Sequence, residues 1–129
     1  MNRVRQEHLD TYRELGAVRV PGVFDRAFVA RVTALIGESI AALRAGTFPK
    51  RAAPDPVFRD IEFEDHDGYV RLVNLMPRVP ALRQAILESP AAETVAALTG
   101  ASSLRVWLDG TFSKVGLANE TATPWHNDE

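Results

Sequence analysis

The sequence predicts an α+β domain, and three features of its apolar pattern support this prediction. Apolar residues recur at helical spacing in residues 6–15 and 28–43, and Pro80 and Pro90 each precede a further helical pattern. Apolar and polar residues alternate in residues 104–115, as in a strand buried on one face. The length of 129 residues, with 46% apolar and 25% charged residues, fits one globular domain or part of a larger one.

The first predicted element is a short helix over residues 6–15. Its apolar residues fall roughly on one helical face, and Gly16 follows at the position of a helix C-cap. Residues 17–20 (Ala-Val-Arg-Val) predict a short strand, which Pro21 and Gly22 would end.

The second predicted helix is the longest element of the chain. Asp25 is a favourable N-cap, the apolar stripe extends over residues 28–43, and Gly46 closes the helix. Because this stripe is wide, we expect the helix to pack against a sheet or another helix.

Residues 47–68 predict a long loop with one short strand near residues 58–63. The segment contains three prolines, a short basic piece and an acidic piece. Long loops in compact domains are often lids, binding loops or disordered segments. The pattern of residues 70–75 fits either a strand or the start of a helix, and the sequence does not decide between them.

The remaining elements are two short helices and the beginnings of a second set of strands. Pro80 opens a helix that reaches residue 87, and Pro90 opens another that Gly100 ends. Residues 104–115 predict one strand, or one strand with a bulge near Gly110. Residues 125–128 would begin the next strand.

The charge balance excludes several classes of function. The net charge is −2, from 15 basic and 17 acidic residues mixed along the chain, which gives no basic stripe for nucleic acid and no polybasic patch for a membrane. The chain has no cysteine, so it has neither a disulfide nor a thiolate metal site. We find no signal peptide and no apolar run long enough to span a membrane, and therefore expect a cytoplasmic protein.

The candidate metal ligands are His126 and Asp128, near the end of the sequence. Side chains two positions apart on a strand point to the same face, so this pair could chelate one ion. An imidazole and a carboxylate are two of the three ligands in the 2-His-1-carboxylate site of non-heme Fe(II) oxygenases. The alternative is that Trp125 belongs to the core and that the last residues are frayed.

The other two histidines fit a metal site less well. His8 and Asp10 have the same spacing, but on a helix their side chains would lie about 200° apart and could not hold one ion. We therefore expect His8 to be a surface or half-buried helix residue. His66 lies in the segment of residues 65–68 (Asp-His-Asp-Gly), which indicates a solvated acidic turn rather than a metal site.

Lys114 is the candidate cation of the same pocket. It lies on the strand predicted before the His126 motif, from which it could lean toward the pocket and attract a carboxylate. The alternative is that Lys114 is only a surface charge.

Five segments follow one another in a defined order: residues 12–24, 25–43, 80–100, 104–114 and 124–128. In order and spacing they resemble the phytanoyl-CoA dioxygenase family of Fe(II)- and 2-oxoglutarate-dependent oxygenases. They resemble, in turn, its opening helix with strand and turn, its long helix, its paired helices ending in Leu-x-Gly, its strand ending in lysine, and its metal motif. That motif is more often Trp-His-Gln-Asp than the Trp-His-Asn-Asp of this chain.

The resemblance implies a double-stranded β-helix, or jelly roll, with helices packed outside, of which residues 1–129 are the N-terminal part. It implies that His126 and Asp128 bind Fe(II), that 2-oxoglutarate is the cosubstrate and that a small organic substrate is hydroxylated. It places Lys114 near the 2-oxoglutarate or substrate site, although the family's Pro-rich turn does not follow this lysine. The family's distal histidine and the basic residue that anchors 2-oxoglutarate would lie beyond Glu129.

A different class of function is a non-catalytic binding or assembly module derived from this fold. We expect the 129-residue chain to be inactive alone, marginally stable and prone to self-association. The reason is that four apolar strand residues would have too few partners on a facing sheet, and unpaired strand edges invite association. These residues are Leu104, Val106, Leu108 and Phe112.

Overall fold

The computed structural model describes residues 3–48, 61–66 and 68–114 and has the predicted α+β architecture. Its elements in chain order are α1 (Gln6–Leu15), α2 (Arg26–Arg44), β1 (Glu62–His66), β2 (Tyr69–Val73), α3 (Pro80–Leu87), α4 (Ala91–Thr99) and β3 (Gly110–Lys114). The strands form one antiparallel sheet in the order β1-β2-β3. No helix in these described ranges is long and apolar enough to cross a membrane.

The first two helices begin and end where local chemistry predicts. Gly16 ends α1 with a φ of 71°, and its N–H donates to the Tyr12 carbonyl at 2.9 Å. This left-handed conformation is strained for other residues, which explains the glycine. The Asp25 carboxylate caps α2 by accepting the Phe28 N–H at 2.7 Å. The predicted N-cap and C-cap are therefore confirmed.

The two short helices are also confirmed. Pro80 occupies the first turn of α3, where its missing N–H costs no hydrogen bond. Pro90 is the N-cap of α4, and Gly100 ends that helix with a φ of 73°.

Strands β1 and β2 form an antiparallel hairpin. His66 pairs with Tyr69, and Gly68 between them has a φ of 80°. Glycine is frequent in hairpin turns because it tolerates positive φ. The prediction that residues 65–68 form a turn is thus wrong for Asp65 and His66, which belong to β1. Residues 70–75, which the sequence left undecided, contain most of β2.

The core lies between one face of the sheet and helices α2 and α3. Leu72 and Leu75 are each 1% exposed and form the buried centre with Leu82. Partly buried apolar residues of α2 pack against this centre, as its wide stripe predicts; they are Val32, Leu35, Ile36, Ile40 and Leu43. Phe63 of β1 joins them, which fixes this side of the sheet as its inner face.

The predicted strand over residues 17–20 is not formed. Val18 and Val20 are half-buried and line a cleft together with Val95 and Leu98 of α4. The alternation of these valines therefore accompanies partial burial beside the cleft rather than pairing with another strand.

The predicted strand over residues 104–115 is shorter than expected, because the described ladder covers only Gly110–Lys114. Just before it, the Asp109 carbonyl accepts the Asn74 N–H at 3.0 Å, and the Asp109 carboxylate accepts two further backbone N–H groups. These bonds fix the chain at Asp109. Residues 104–109 are not in a strand, and Trp107 is 79% exposed.

The described residues show a small open sheet of three strands and no jelly roll. Strands β1 and β3 are the two edges of this described sheet. Residues 49–60, most of the predicted loop, and residues 125–128, the predicted next strand, lie outside the described residues.

Candidate functional site on the outer face of the sheet

Lys114 is the one predicted site residue that the structure describes. It is exposed and ends β3, where it pairs in register with Tyr69 of β2. Tyr69 pairs in turn with His66 of β1, and the two rings lie 5.2 Å apart. Directly opposed residues of antiparallel strands share a face, so an imidazole, a phenol and an ammonium form one row across the sheet.

This row lies on the outer face of the sheet, which we define by Glu62, Glu64, Arg71, Phe112 and Lys114. The alternation of side chains along each strand puts these residues opposite the buried Leu72. The outer face is polar and largely exposed, whereas the inner face packs on the helices. A ligand could therefore approach Lys114 without disturbing the core.

Arg71, at the centre of the outer face, is already engaged by two carboxylates. Its guanidinium lies 2.7 Å from Glu62 and 2.9 Å from Glu64. The hydrogen bond to Glu62 raises the pKa of Arg71, and the bond to Glu64 adds to this effect. Arg71 therefore offsets one of the two negative charges of Glu62 and Glu64, and Lys114 is the cationic residue of β3.

On the other side of β1, Asp65 joins the sheet to α2. Its carboxylate accepts two hydrogen bonds from Arg44, at 2.5 Å and 3.0 Å. The bond from Arg44 lowers the pKa of the Asp65 carboxyl below its ordinary value. This bidentate pair anchors the end of α2 to β1, the strand that carries His66.

We expect Asp65→Asn to destabilise the chain at pH 7 and to have a smaller effect at pH 3. A depressed folded-state pKa contributes stability above the unfolded-state value of about 4, and this contribution is lost as the pH falls through the folded-state value. Urea unfolding of both chains at the two pH values measures the difference. An equal loss at both pH values would show that the ion pair is not its source.

The expectation that His8 is a surface or half-buried helix residue is wrong for its burial, because His8 is only 7% exposed. His8 is buried in α1, and its Nδ1 accepts the Arg5 N–H at 3.1 Å. Asp10 instead accepts a hydrogen bond from Gln6 at 2.8 Å and lies 3.5 Å from Arg13. Among the described residues there is no group of three His, Asp or Glu side chains that could hold a metal ion.

The predicted ligands His126 and Asp128 lie outside the described residues. The structure therefore neither brings them together with Lys114 nor separates them from it. Their assignment continues to depend on their spacing and residue types.

Asp109 is a positioning residue that the sequence did not single out. Its carboxylate accepts the N–H groups of Leu75 at 2.9 Å and Met76 at 3.0 Å, which follow β2. It thereby holds the turn after β2 against the start of β3, and so sets the strand that carries Lys114. The sequence shows that Gly110 follows Asp109, and an Asp-Gly dipeptide indicates a turn. It does not indicate a hydrogen bond to residues more than thirty positions away.

Comparison with family models, with curated proteins and with solved structures gives no match to this chain.

Proposed function

We propose that this chain is the N-terminal part of an Fe(II)- and 2-oxoglutarate-dependent dioxygenase that hydroxylates a small organic substrate. His126 and Asp128 would be two of the metal ligands, and Lys114 would attract the carboxylate of the cosubstrate or substrate. The observation that carries the proposal is the outer-face position of Lys114 at the end of β3, on a sheet whose other face packs on helices.

The donor set fits the proposed metal. A neutral imidazole and a carboxylate suit Fe(II), and a third protein ligand would complete the facial set while leaving positions open. When bound, Fe(II) would supply the activation of oxygen and of the 2-oxo acid. This chain would provide two of the ligands and would orient the carboxylate substrate.

The charges of the outer face support a role for Lys114 in binding an anion. The two glutamates of β1 would repel a dicarboxylate, and Arg71, which is paired with both of them, offsets one of their two charges. Lys114 is two strands away from these glutamates and is exposed. An ammonium at this position can attract a carboxylate and can follow its movement, because the lysine side chain is long and flexible.

The proposal is tested by metal binding to the 129-residue chain. We expect His126→Ala and Asp128→Ala each to weaken the binding of Fe(II), or of Co(II) as its stable substitute, about tenfold or more, because each removes a direct ligand. Anaerobic isothermal titration calorimetry measures the affinities.

Asp10→Ala is the matched control, because it removes an exposed carboxylate from α1, away from the candidate site. It should leave the metal affinity unchanged. An equal loss in this control would contradict the proposal.

A second prediction concerns Lys114. We expect Lys114→Ala to weaken 2-oxoglutarate binding to the metal-loaded chain about tenfold, because a charge-assisted contact is lost. The free energy of unfolding should change by no more than about 0.5 kcal/mol, because the residue is exposed at the end of a strand.

Lys114→Arg is the matched variant for this experiment, since it keeps the charge and should retain most of the 2-oxoglutarate affinity. Unchanged binding in Lys114→Ala would return this residue to the role of a surface charge.

The second candidate function is a binding or assembly module, which exposed apolar residues favour. Trp107, Leu108 and Phe112 are 79%, 52% and 61% exposed, and β3 is an edge of the described sheet. Exposed apolar groups beside a strand edge are typical of association surfaces. A chain that binds no metal but associates as its concentration rises, as measured by light scattering, would favour this function over the enzyme.

A further inference from the structure

An apolar cleft lies beside α4, on residues that the proposed oxygenase site does not use. We call it the α4 cleft and define its walls by residues 18–24, by Val29 of α2, and by Ala91, Thr94, Val95 and Leu98 of α4. Its volume is about 490 Å³, within the range of small-molecule sites. Phe24, Val29 and Val95 remain between 43% and 51% exposed along it, so these apolar walls are accessible.

Two arginine residues accompany these apolar walls. Arg19 is itself an exposed lining residue. Arg3 lies against Gly22, another lining residue, because a Cβ atom placed on Gly22 would be 3.0 Å from a terminal nitrogen of Arg3. The φ of 71° at Gly22 favours glycine. Because glycine has no Cβ atom, the Arg3 head group can lie against the backbone there.

The charges of Arg3 and Arg19 are not balanced by the part of the chain that the structure describes. Arg13, Arg44 and Arg71 each pair with a carboxylate there, but Arg3 and Arg19 do not. Glu93, the acidic residue of α4, is exposed and does not line the cleft. The α4 cleft therefore combines apolar walls with uncompensated positive charge.

We propose that the α4 cleft binds a small amphiphilic carboxylate of the fatty-acid type. Its tail would lie against the valines, Phe24 and Leu98, and its carboxylate would be held by Arg19 and Arg3. A guanidinium binds a carboxylate in bidentate fashion, and burial of the tail supplies the apolar part of the affinity. This site is independent of the proposed function, because it uses neither Lys114 nor the His126 motif.

The choice of ligand follows from the two properties together. A purely apolar ligand would fill the walls but would leave both guanidinium groups without a counter-charge. A small inorganic anion would meet the arginines but would bury none of the exposed valine and phenylalanine surface. A carboxylate with an alkyl tail satisfies both requirements.

The test is titration of the 129-residue chain with decanoate below its micellar concentration, followed by the NMR signals of the valine methyl groups. We expect saturable shifts at Val18, Val20 and Val95. Decanol shares the tail, acetate shares the carboxylate, and decyltrimethylammonium reverses the charge, so all three should bind at least about fivefold more weakly.

Variants locate the two parts of the site. Arg19→Gln should weaken decanoate binding about fivefold or more, and Val95→Asp should weaken it further because it places a carboxylate in the apolar wall. Arg105→Gln is the matched control, because Arg105 is exposed and does not line the cleft. Arg19→Lys keeps the charge and should retain part of the affinity.

Three results would overturn the proposal. Equal binding of decanol and decanoate would remove the role of the arginines. Methyl shifts that do not saturate would show that there is no site. Shifts that appear without ligand as the protein concentration rises would show that a second copy of the chain occupies the cleft instead.

Discussion

Leu72→Ala should lower the free energy of unfolding by about 2–5 kcal/mol, the range measured for truncation of large buried residues. Leu72 is 1% exposed and lies in the middle strand, opposite Phe63 on one side and Thr111 on the other. Its side chain packs with Leu75 and Leu82 between the sheet and the helices. Truncation would leave a cavity in the centre of the core, between the sheet and the two helices that pack on it.

Phe112→Ala is the matched control for this prediction. Phe112 lies in the same sheet but on the outer face, and it is 61% exposed. Its removal should cost less than about 1 kcal/mol, because little buried surface is lost. Urea unfolding of the two variants measures the difference. Similar losses in both would mean that the outer face is covered by other parts of the chain, and the core would then be larger than the described residues show.

The helix ends could be predicted from the sequence because their causes are local. Asp25 caps the residue three positions ahead of it, and Gly16 and Gly100 adopt the left-handed conformation that follows a helix. The prolines before α3 and α4 act at their own positions. None of these features requires knowledge of how distant segments meet.

The strands were predicted less well because alternation indicates burial and not pairing. Residues 17–20 alternate, but Val18 and Val20 pack against α4 and form no ladder. Residues 104–109 also resemble a strand, although pairing starts only at Gly110. Pairing depends on contacts between distant segments, which a local pattern does not contain.

The same limit applies to the candidate site. The residue types of Lys114, His126 and Asp128 suggest a chemistry, which stays a prediction because His126 and Asp128 lie outside the described residues. The pairing of Arg71 with Glu62 and Glu64 could not be predicted, because it depends on the register of β1 and β2. This register also decides which charged side chains of the sheet lie next to each other.

Asp109→Ala should lower the free energy of unfolding by about 2–4 kcal/mol, because two hydrogen bonds to backbone N–H groups are lost. Its carboxylate accepts the backbone N–H groups of Leu75 and Met76. These two residues are only 1% and 3% exposed. Removal of the acceptor leaves two backbone donors unsatisfied near the core, and each such group costs about 1–3 kcal/mol. Asn74, which precedes these two residues, also bonds to Asp109: its N–H donates to the Asp109 backbone carbonyl, and its φ is 61°.

Asp109→Asn separates this role from a general effect of charge. The amide keeps one oxygen that can accept one of the two N–H groups, so about half of the stability should return relative to the alanine variant. Urea unfolding gives the stabilities, and hydrogen exchange at the Leu75 and Met76 amides should be fastest in Asp109→Ala. If both amides remain as protected in the alanine variant as in the unaltered chain, Asp109 does not hold this turn. The position of β3, and with it that of Lys114, would then depend on the strand ladder alone.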